Sequence, residues 1–235
     1  MTDNCTIKAP FFEIGPKSYL YGDDIVELAK AADAASEKYD VDIIFTTPVV
    51  SIKEVKAATK RIHVFAPHMD PLYPGRGLTD ILPESLVAAG AEGVMLNHCE
   101  RPLSLGVLKE TIKRADEVGL ATIVCGDSLA EASALAVLNP NIIVAEPSEL
   151  VGTGVAVGPE YVQAATDSVK KINPDILVLT AAGIANGNDV YNTIKAGADA
   201  TGTSSGVAKL KTREERAAMV DEMIGAVRKA WDERK

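Results

Sequence analysis

GVMLNHCERPLSLGVLKETIKRADEVGLATIVC, residues 93–125, contains one complete structural unit. GVMLN and ATIVC are short, continuous apolar runs, the pattern of parallel strands covered on both faces. Between them Leu105, Leu108, Ile112 and Ala115 recur at spacings of three, four and three. That period predicts a helix with one apolar stripe, its other face carrying Lys109, Glu110, Lys113 and Arg114. Gly119 stands where a left-handed residue would close the helix before the next strand.

The same unit recurs outward in both directions. Apolar runs lie at Phe11 to Ile14, VDIIFTT from Val41, IHVFA from Ile62, GVMLN, ATIVC, NIIVA from Asn141, ILVLT from Ile176 and DATGT from Asp199, eight in all. Ser128 and Glu131 have capping-box spacing and start a helix after ATIVC. Met219, Val220, Met223, Ile224, Val227 and Trp231 mark one face of a final helix. Gly90 and Gly197 close two more helices as Gly119 does. Eight strand–helix units in 235 residues give about 29 residues each, with no Pro/Ser-rich linker to divide them. The expected fold is therefore α/β, a (β/α)8 barrel forming a single domain over residues 1–235. A doubly wound open sheet would want Gly-x-Gly-x-x-Gly after the first strand, but GPKSYLYG stands there.

Composition narrows the function. The 24 basic and 33 acidic side chains leave a net charge of −9, which argues against nucleic-acid and anionic-membrane partners. No apolar run approaches the roughly 18 residues a membrane span needs, and the first residues lack a secretory h-region. Cys5, Cys99 and Cys125 are odd in number and have no Cys-x-x-Cys spacing, so a reduced, cytoplasmic compartment is expected and no metal site is read.

Active sites of such barrels gather at the carboxyl ends of the strands, so the polar residues that close each apolar run are the candidates. His98, with Asn97 and Glu100, follows GVMLN directly. A helix beginning there would hold its ring neutral, because the positive end of the helix dipole disfavours imidazolium. His63, inside a strand pattern, and His68, in a Pro-rich loop, read as structural. Glu146 closes NIIVA and opens EPSELVGTG, where Pro147 stiffens the entry and Gly152 and Gly154 give a hinge: a general base under a lid, or a solvated surface carboxylate. Lys8 and Lys17 compete for the end of the first strand, and Lys17 follows the longer apolar run. The small-residue segments AAGI at Ala181, GTG at Gly152 and TSSG at Thr203 could together aim backbone amides at a phosphate near the last two strands.

NHCE at Asn97 resembles the N-H-S-E of the triosephosphate isomerase family, with Cys99 for serine. EPSELVGTG from Glu146 is similar to the archaeal lid E-P-P-E-L-I-G-T-G, AAGIANGNDV from Ala181 to G-A-G-I-x-x-G-x-D-V, SSGV from Ser204 to A-S-G-V, and FAPHMDP from Phe65 to F-A-Q-H-I-D-P. The resemblance runs from about Phe11 to the final helix, and places the family's I-N-F-K-T-Y over Ile14 to Tyr19. It implies a TIM barrel that interconverts dihydroxyacetone phosphate and glyceraldehyde 3-phosphate, or a related phosphorylated sugar, without a cofactor. Glu146 would then shuttle the proton, a neutral His98 would polarise the substrate oxygens, and Lys17 would stabilise their charge, as is known for this family. Glu100 would orient Lys17, and Gly152, Gly183, Ser204 and Ser205 would hold the phosphate. The resemblance also implies a homo-oligomer, dimer or tetramer. Three positions depart from it: Gly15 stands for the family's Asn, Pro16 for its Phe and Pro67 for its Gln, and about ten residues, MTDNCTIKAP, precede the first strand.

Two other functions fit a phosphate-binding barrel. In a Schiff-base aldolase, Lys8 or Lys17 would be the amine, and that chemistry wants a desolvated lysine. A non-catalytic barrel would bind a metabolite and regulate, with no need for Lys, His and Glu at three separate strand ends.

Overall fold

In the computed structural model, which describes residues 5–234, eight parallel strands close in sequence order into a barrel. They are β1 (Phe11–Ile14), β2 (Asp42–Thr46), β3 (His63–Ala66), β4 (Gly93–Leu96), β5 (Ala121–Gly126), β6 (Ile142–Ala145), β7 (Leu177–Leu179) and β8 (Ala200–Thr203). β1 pairs with β2 and also with β8, where Glu13 lies opposite Ile44 and Gly202. The eight apolar runs of the sequence are these eight strands. Residues 1–4 of the leading MTDNCTIKAP lie outside the described residues.

Strand parity divides the side chains into two layers. Phe11, Ile44, Phe65, Ile123, Ile142 and Leu179 point inward and form the core of the barrel. Phe12, Ile43, Phe45, Val64, Val124, Ile143 and Val178 point outward and pack under the helices. Ile7 and Cys5, ahead of β1, join the inward cluster and cover its amino end.

The covering helices are α1 (Asp23–Tyr39), α2 (Ile52–Ala58), α3 (Pro83–Ala89), α4 (Leu105–Val118), α5 (Leu129–Ala136), α6 (Pro159–Lys170), α7 (Gly187–Lys195), the short α8 (Ser205–Ala208) and α9 (Arg213–Arg234). Gly90 and Gly119 end α3 and α4 in the left-handed region, at φ 98° and 82°. Ser128 caps α5 by accepting from the Glu131 N–H, while the Glu131 carboxylate reaches back to the Asp127 N–H, one residue earlier than a strict capping box. On α4 the stripe of Leu108, Ile112 and Ala115 is buried, but Leu105 is exposed. It occupies the first turn, ahead of the part of the helix that rests on the barrel. α9 closes the ring between α1 and α7 and buries Val220, Met223, Ile224 and Val227. No helix among the described residues is long and apolar enough to cross a membrane.

Candidate active site

The same parity that fills the core delivers polar groups to its carboxyl end. On β6, Ile142 and Val144 face inward, so the next inward position, just past the strand, is Glu146. On β5 it is Cys125, on β2 Thr46, and on β1 Glu13. These residues, together with Lys17 and His98, line a cavity of about 600 Å3 at the mouth of the barrel. Lys8 precedes β1 and so belongs to the opposite end, where its backbone N–H donates to the Asp42 carboxylate.

Lys17 sits in the left-handed region (φ 47°) and its Nζ donates to Glu100 Oε1 at 3.0 Å, an ion pair that crosses from the β1 loop to the β4 loop. The ammonium beside Glu100 holds that carboxyl below its usual range. His98 follows Asn97, also left-handed (φ 58°), whose side chain fixes the turn from both sides. Its Nδ2 donates to the Cys125 carbonyl at 2.9 Å and its Oδ1 accepts the Leu103 N–H at 2.9 Å.

The helix expected to begin at His98 does not begin there. Pro102 interrupts, Ser104 caps, and α4 starts at Leu105. The ring is held neutral by other means. His98 Nδ1 accepts the backbone N–H of Glu100 at 3.1 Å, which leaves the proton on Nε2. Burial, and then the Lys17 charge, push the imidazole pKa down.

Glu146 is largely buried, and burial raises its carboxyl pKa, offset in part by Lys17. No hydrogen bond or ion pair holds its carboxylate among the described residues, so it is free to meet a ligand. The segment it opens is a short 3-10 turn (Ser148–Leu150) followed by Gly152 and Gly154, both at φ 75°. Its entry is pinned where the Ser148 N–H donates to Asp127 Oδ1 at 2.7 Å. Its exit runs over Gly183: a Cβ there would lie 1.9 Å from the Val155 carbonyl oxygen. Gly183 (φ 73°) is thus required by both backbone conformation and close approach.

Around Gly183 the small-residue loops come together as expected. Thr203 Oγ1 donates to the Ile184 carbonyl at 2.9 Å and ties the end of β8 to the β7 loop. Asn186 caps α7, accepting from the Asn188 and Asp189 N–H groups. The Ser204 hydroxyl is buried without a partner, and Ser205, Gly152 and Gly183 share its cavity wall. His63 pairs with Glu92 and His68 with Asp70; His68 also lines the far wall of the cavity. Among the described residues no group of three or more His, Cys, Asp or Glu side chains is placed to hold a metal ion.

This arrangement of lysine, neutral histidine and a glutamate before a glycine-rich loop can be set beside known proteins. A family model described as triosephosphate isomerase matches residues 16–223. The chain belongs to the triosephosphate isomerase family. It is 38% identical over 234 residues to the triosephosphate isomerase of Sulfurisphaera tokodaii, covering 97% of this chain and all of that one. It is 36% identical over 213 residues to that of Saccharolobus solfataricus (88% and 93% covered) and 35% over 205 residues to that of Methanobacterium bryantii (85% and 90%).

Against the family pattern one residue stands out that sequence reading passed over. Glu13 lies within FFEI, which reads as plain apolar strand, yet it faces inward, beside Gly15, in the floor of the cavity. The one signal in the sequence is a carboxylate inside an apolar run, two residues before a glycine that replaces the family's Asn; its inward direction comes from the pairing of β1 with β2 and β8.

Proposed function

We propose that Lys17, His98 and Glu146 carry the interconversion of dihydroxyacetone phosphate and glyceraldehyde 3-phosphate through an enediolate. The observation that carries this reading is the His98 ring, which accepts at Nδ1 and therefore presents an N–H donor at Nε2 to the cavity that Glu146 and Lys17 also line. Glu146 takes a proton from one carbon of the substrate and returns it to the neighbouring one. A carboxylate whose pKa burial has raised is the stronger base for that step. The developing oxygen charge meets the His98 N–H and the Lys17 ammonium in a space that lid closure would clear of water. Glu100 holds Lys17 in place, and Gly152, Gly183, Ser204 and Ser205 receive the phosphate.

An amine already donating to a carboxylate offers no lone pair to a carbonyl, so nothing in the site favours imine chemistry at Lys17. The reading extends to one barrel domain over residues 1–235 in a reduced, cytoplasmic compartment, which three free cysteines suit. It extends as well to a homo-oligomer, which the exposed Leu78, Leu105 and Val107 would suit. Turnover of phosphorylated trioses, tetroses and pentoses in deuterium oxide tests the reaction. Label should enter at the carbon Glu146 deprotonates, and borohydride should trap no adduct. A borohydride-stable adduct on Lys17, or turnover without exchange in any of these sugars, would overturn the reading.

A further inference from the structure

Glu13 is 8% exposed, and its Oε1 has no hydrogen-bond partner in the protein. A buried carboxyl left so is destabilising, and an apolar side chain would serve the barrel core better. The surroundings nevertheless make room for it. A Cβ on Gly15 would stand 3.0 Å from Glu13 Oε1, and one on Gly202 of β8 would stand 2.7 Å from the Glu13 carbonyl oxygen, 3.0 Å from its Cβ and 3.2 Å from Oε2. Gly15 thus leaves space for this side chain, Gly202 both admits the β1 backbone and clears the carboxyl, and the space opens into the cavity of Lys17, His98 and Glu146.

The titratable and charged groups facing Glu13 are Glu146 from the end of β6, Lys17 from its own loop and Cys125 from β5. Thr46 approaches from β2, its hydroxyl near enough to stabilise the carboxylate form of Glu13, although neither the hydroxyl nor Glu13 Oε1 completes a hydrogen bond of good geometry. Lys17 is engaged by Glu100, so the protein leaves the Glu13 carboxyl to something that enters the cavity.

We propose that Glu13 is a substrate-binding residue whose carboxyl hydrogen-bonds a hydroxyl of the phosphorylated sugar from the floor of the cavity, and that it selects hydroxylated over deoxygenated phosphate esters. The ligand class rests on the isomerase reading above. Burial, opposed by the Thr46 hydroxyl and the Lys17 charge and helped by the Glu146 charge, pushes this carboxyl up to about 7, so near neutral pH much of it is the acid. A carboxylic acid both donates and accepts, which matches an alcohol.

The experiment is a binding cycle that needs no turnover. Dissociation constants for glycerol 1-phosphate and for n-propyl phosphate, which lacks the hydroxyls, are measured by calorimetry on the wild type, Glu13→Leu and Glu13→Gln. The preference for glycerol phosphate should fall about tenfold in Glu13→Leu, the size of one lost hydrogen bond. In the wild type the preference should vary with pH around neutrality, and Glu13→Gln should remove that component.

Ligand-free stability supplies a second readout. A carboxyl whose pKa is raised on folding contributes stability below its unfolded value of about 4.5, and that contribution is lost as pH rises through about 7. Glu13→Leu and Glu13→Gln should therefore melt several degrees above the wild type at pH 8, where the unpaired charge is present. An unchanged preference in Glu13→Leu overturns the proposal. Should that variant not fold, a wild-type pH dependence of the preference in Glu13→Gln overturns it instead. A wild type that binds glycerol phosphate with the expected preference but fails to isomerise triose phosphates refutes the reaction and leaves this contact standing.

Discussion

The amino and carboxyl ends of the barrel are built from the same eight strands, and their inward side chains behave in opposite ways. At the amino end Phe11, Ile44, Phe65, Ile123 and Ile142 fill the interior, and Ile7 with Cys5 covers it. At the carboxyl end the inward positions hold Glu13, Thr46, Cys125 and Glu146. Among the described residues, three of the seven buried side-chain polar atoms without a partner line the cavity there, on Glu13, Thr46 and Ser204. Each such group costs roughly 1–3 kcal/mol when unpaired. Stability is thus concentrated at one end and given up at the other, the division expected of a scaffold that must leave hydrogen-bonding capacity free for a ligand.

That contrast predicts that replacing Glu146 or Lys17 at the mouth changes rate without loss of stability, whereas replacing the apolar core at the amino end loses stability and leaves rate intact. The largest effect belongs to Glu146→Gln. Its turnover should fall by ~10^2 to 10^4-fold, the range for a lost general base, with an unchanged circular dichroism spectrum. Wild-type turnover would return Glu146 to the scaffold. Next is Lys17→Met, which should cost ~10^2 to 10^3-fold in kcat/KM because the developing oxyanion loses its cation. An unaffected Lys17→Met would mean that the Lys17–Glu100 pair only joins two loops.

Smaller is the effect on anion binding. Inorganic phosphate at 100 times its dissociation constant should stabilise the wild type by about 2.7 kcal/mol. Gly183→Val, whose side chain would collide with the Val155 carbonyl, should abolish that protection in thermal melts. Equal protection of the variant would place the anion elsewhere. The smallest effect is at the amino end, where Ile142→Val should lose ~0.5–1.5 kcal/mol of stability, read by denaturant titration, with kcat unchanged. A loss of kcat there would show that the two ends are coupled.

The sequence carried the fold because eight short, mostly apolar runs such as ATIVC and NIIVA recur along the chain, and because Gly90, Gly119 and Ser128 mark helix ends by local geometry alone. Glu146, His98 and Lys17 were visible as the polar residues closing such runs. Two things were not legible. The sequence points to a helix end as the source of a neutral His98, whereas burial and the Lys17 charge push its pKa down and a backbone N–H from Glu100 fixes its tautomer, a contact that depends on how Asn97 and Pro102 bend the loop. Glu13 was hidden because FFEI is too short to reveal which of its residues face inward. Only pairing with β2 and β8 fixes that parity.

The segment from Ser148 to Val155, the lid of the proposed reading, is held at both ends, by Ser148 on Asp127 and by the passage of Val155 over Gly183. As a lid it would move only between residues 149 and 154. Ordering a backbone residue costs on the order of 1–2 kcal/mol, so a long tether free along its length would have to recover a large entropy from each substrate it covered. A flap hinged at both ends, already bent at Gly152 and Gly154, has little conformational freedom left to lose. The binding energy of a small molecule is then available for the chemistry beneath it.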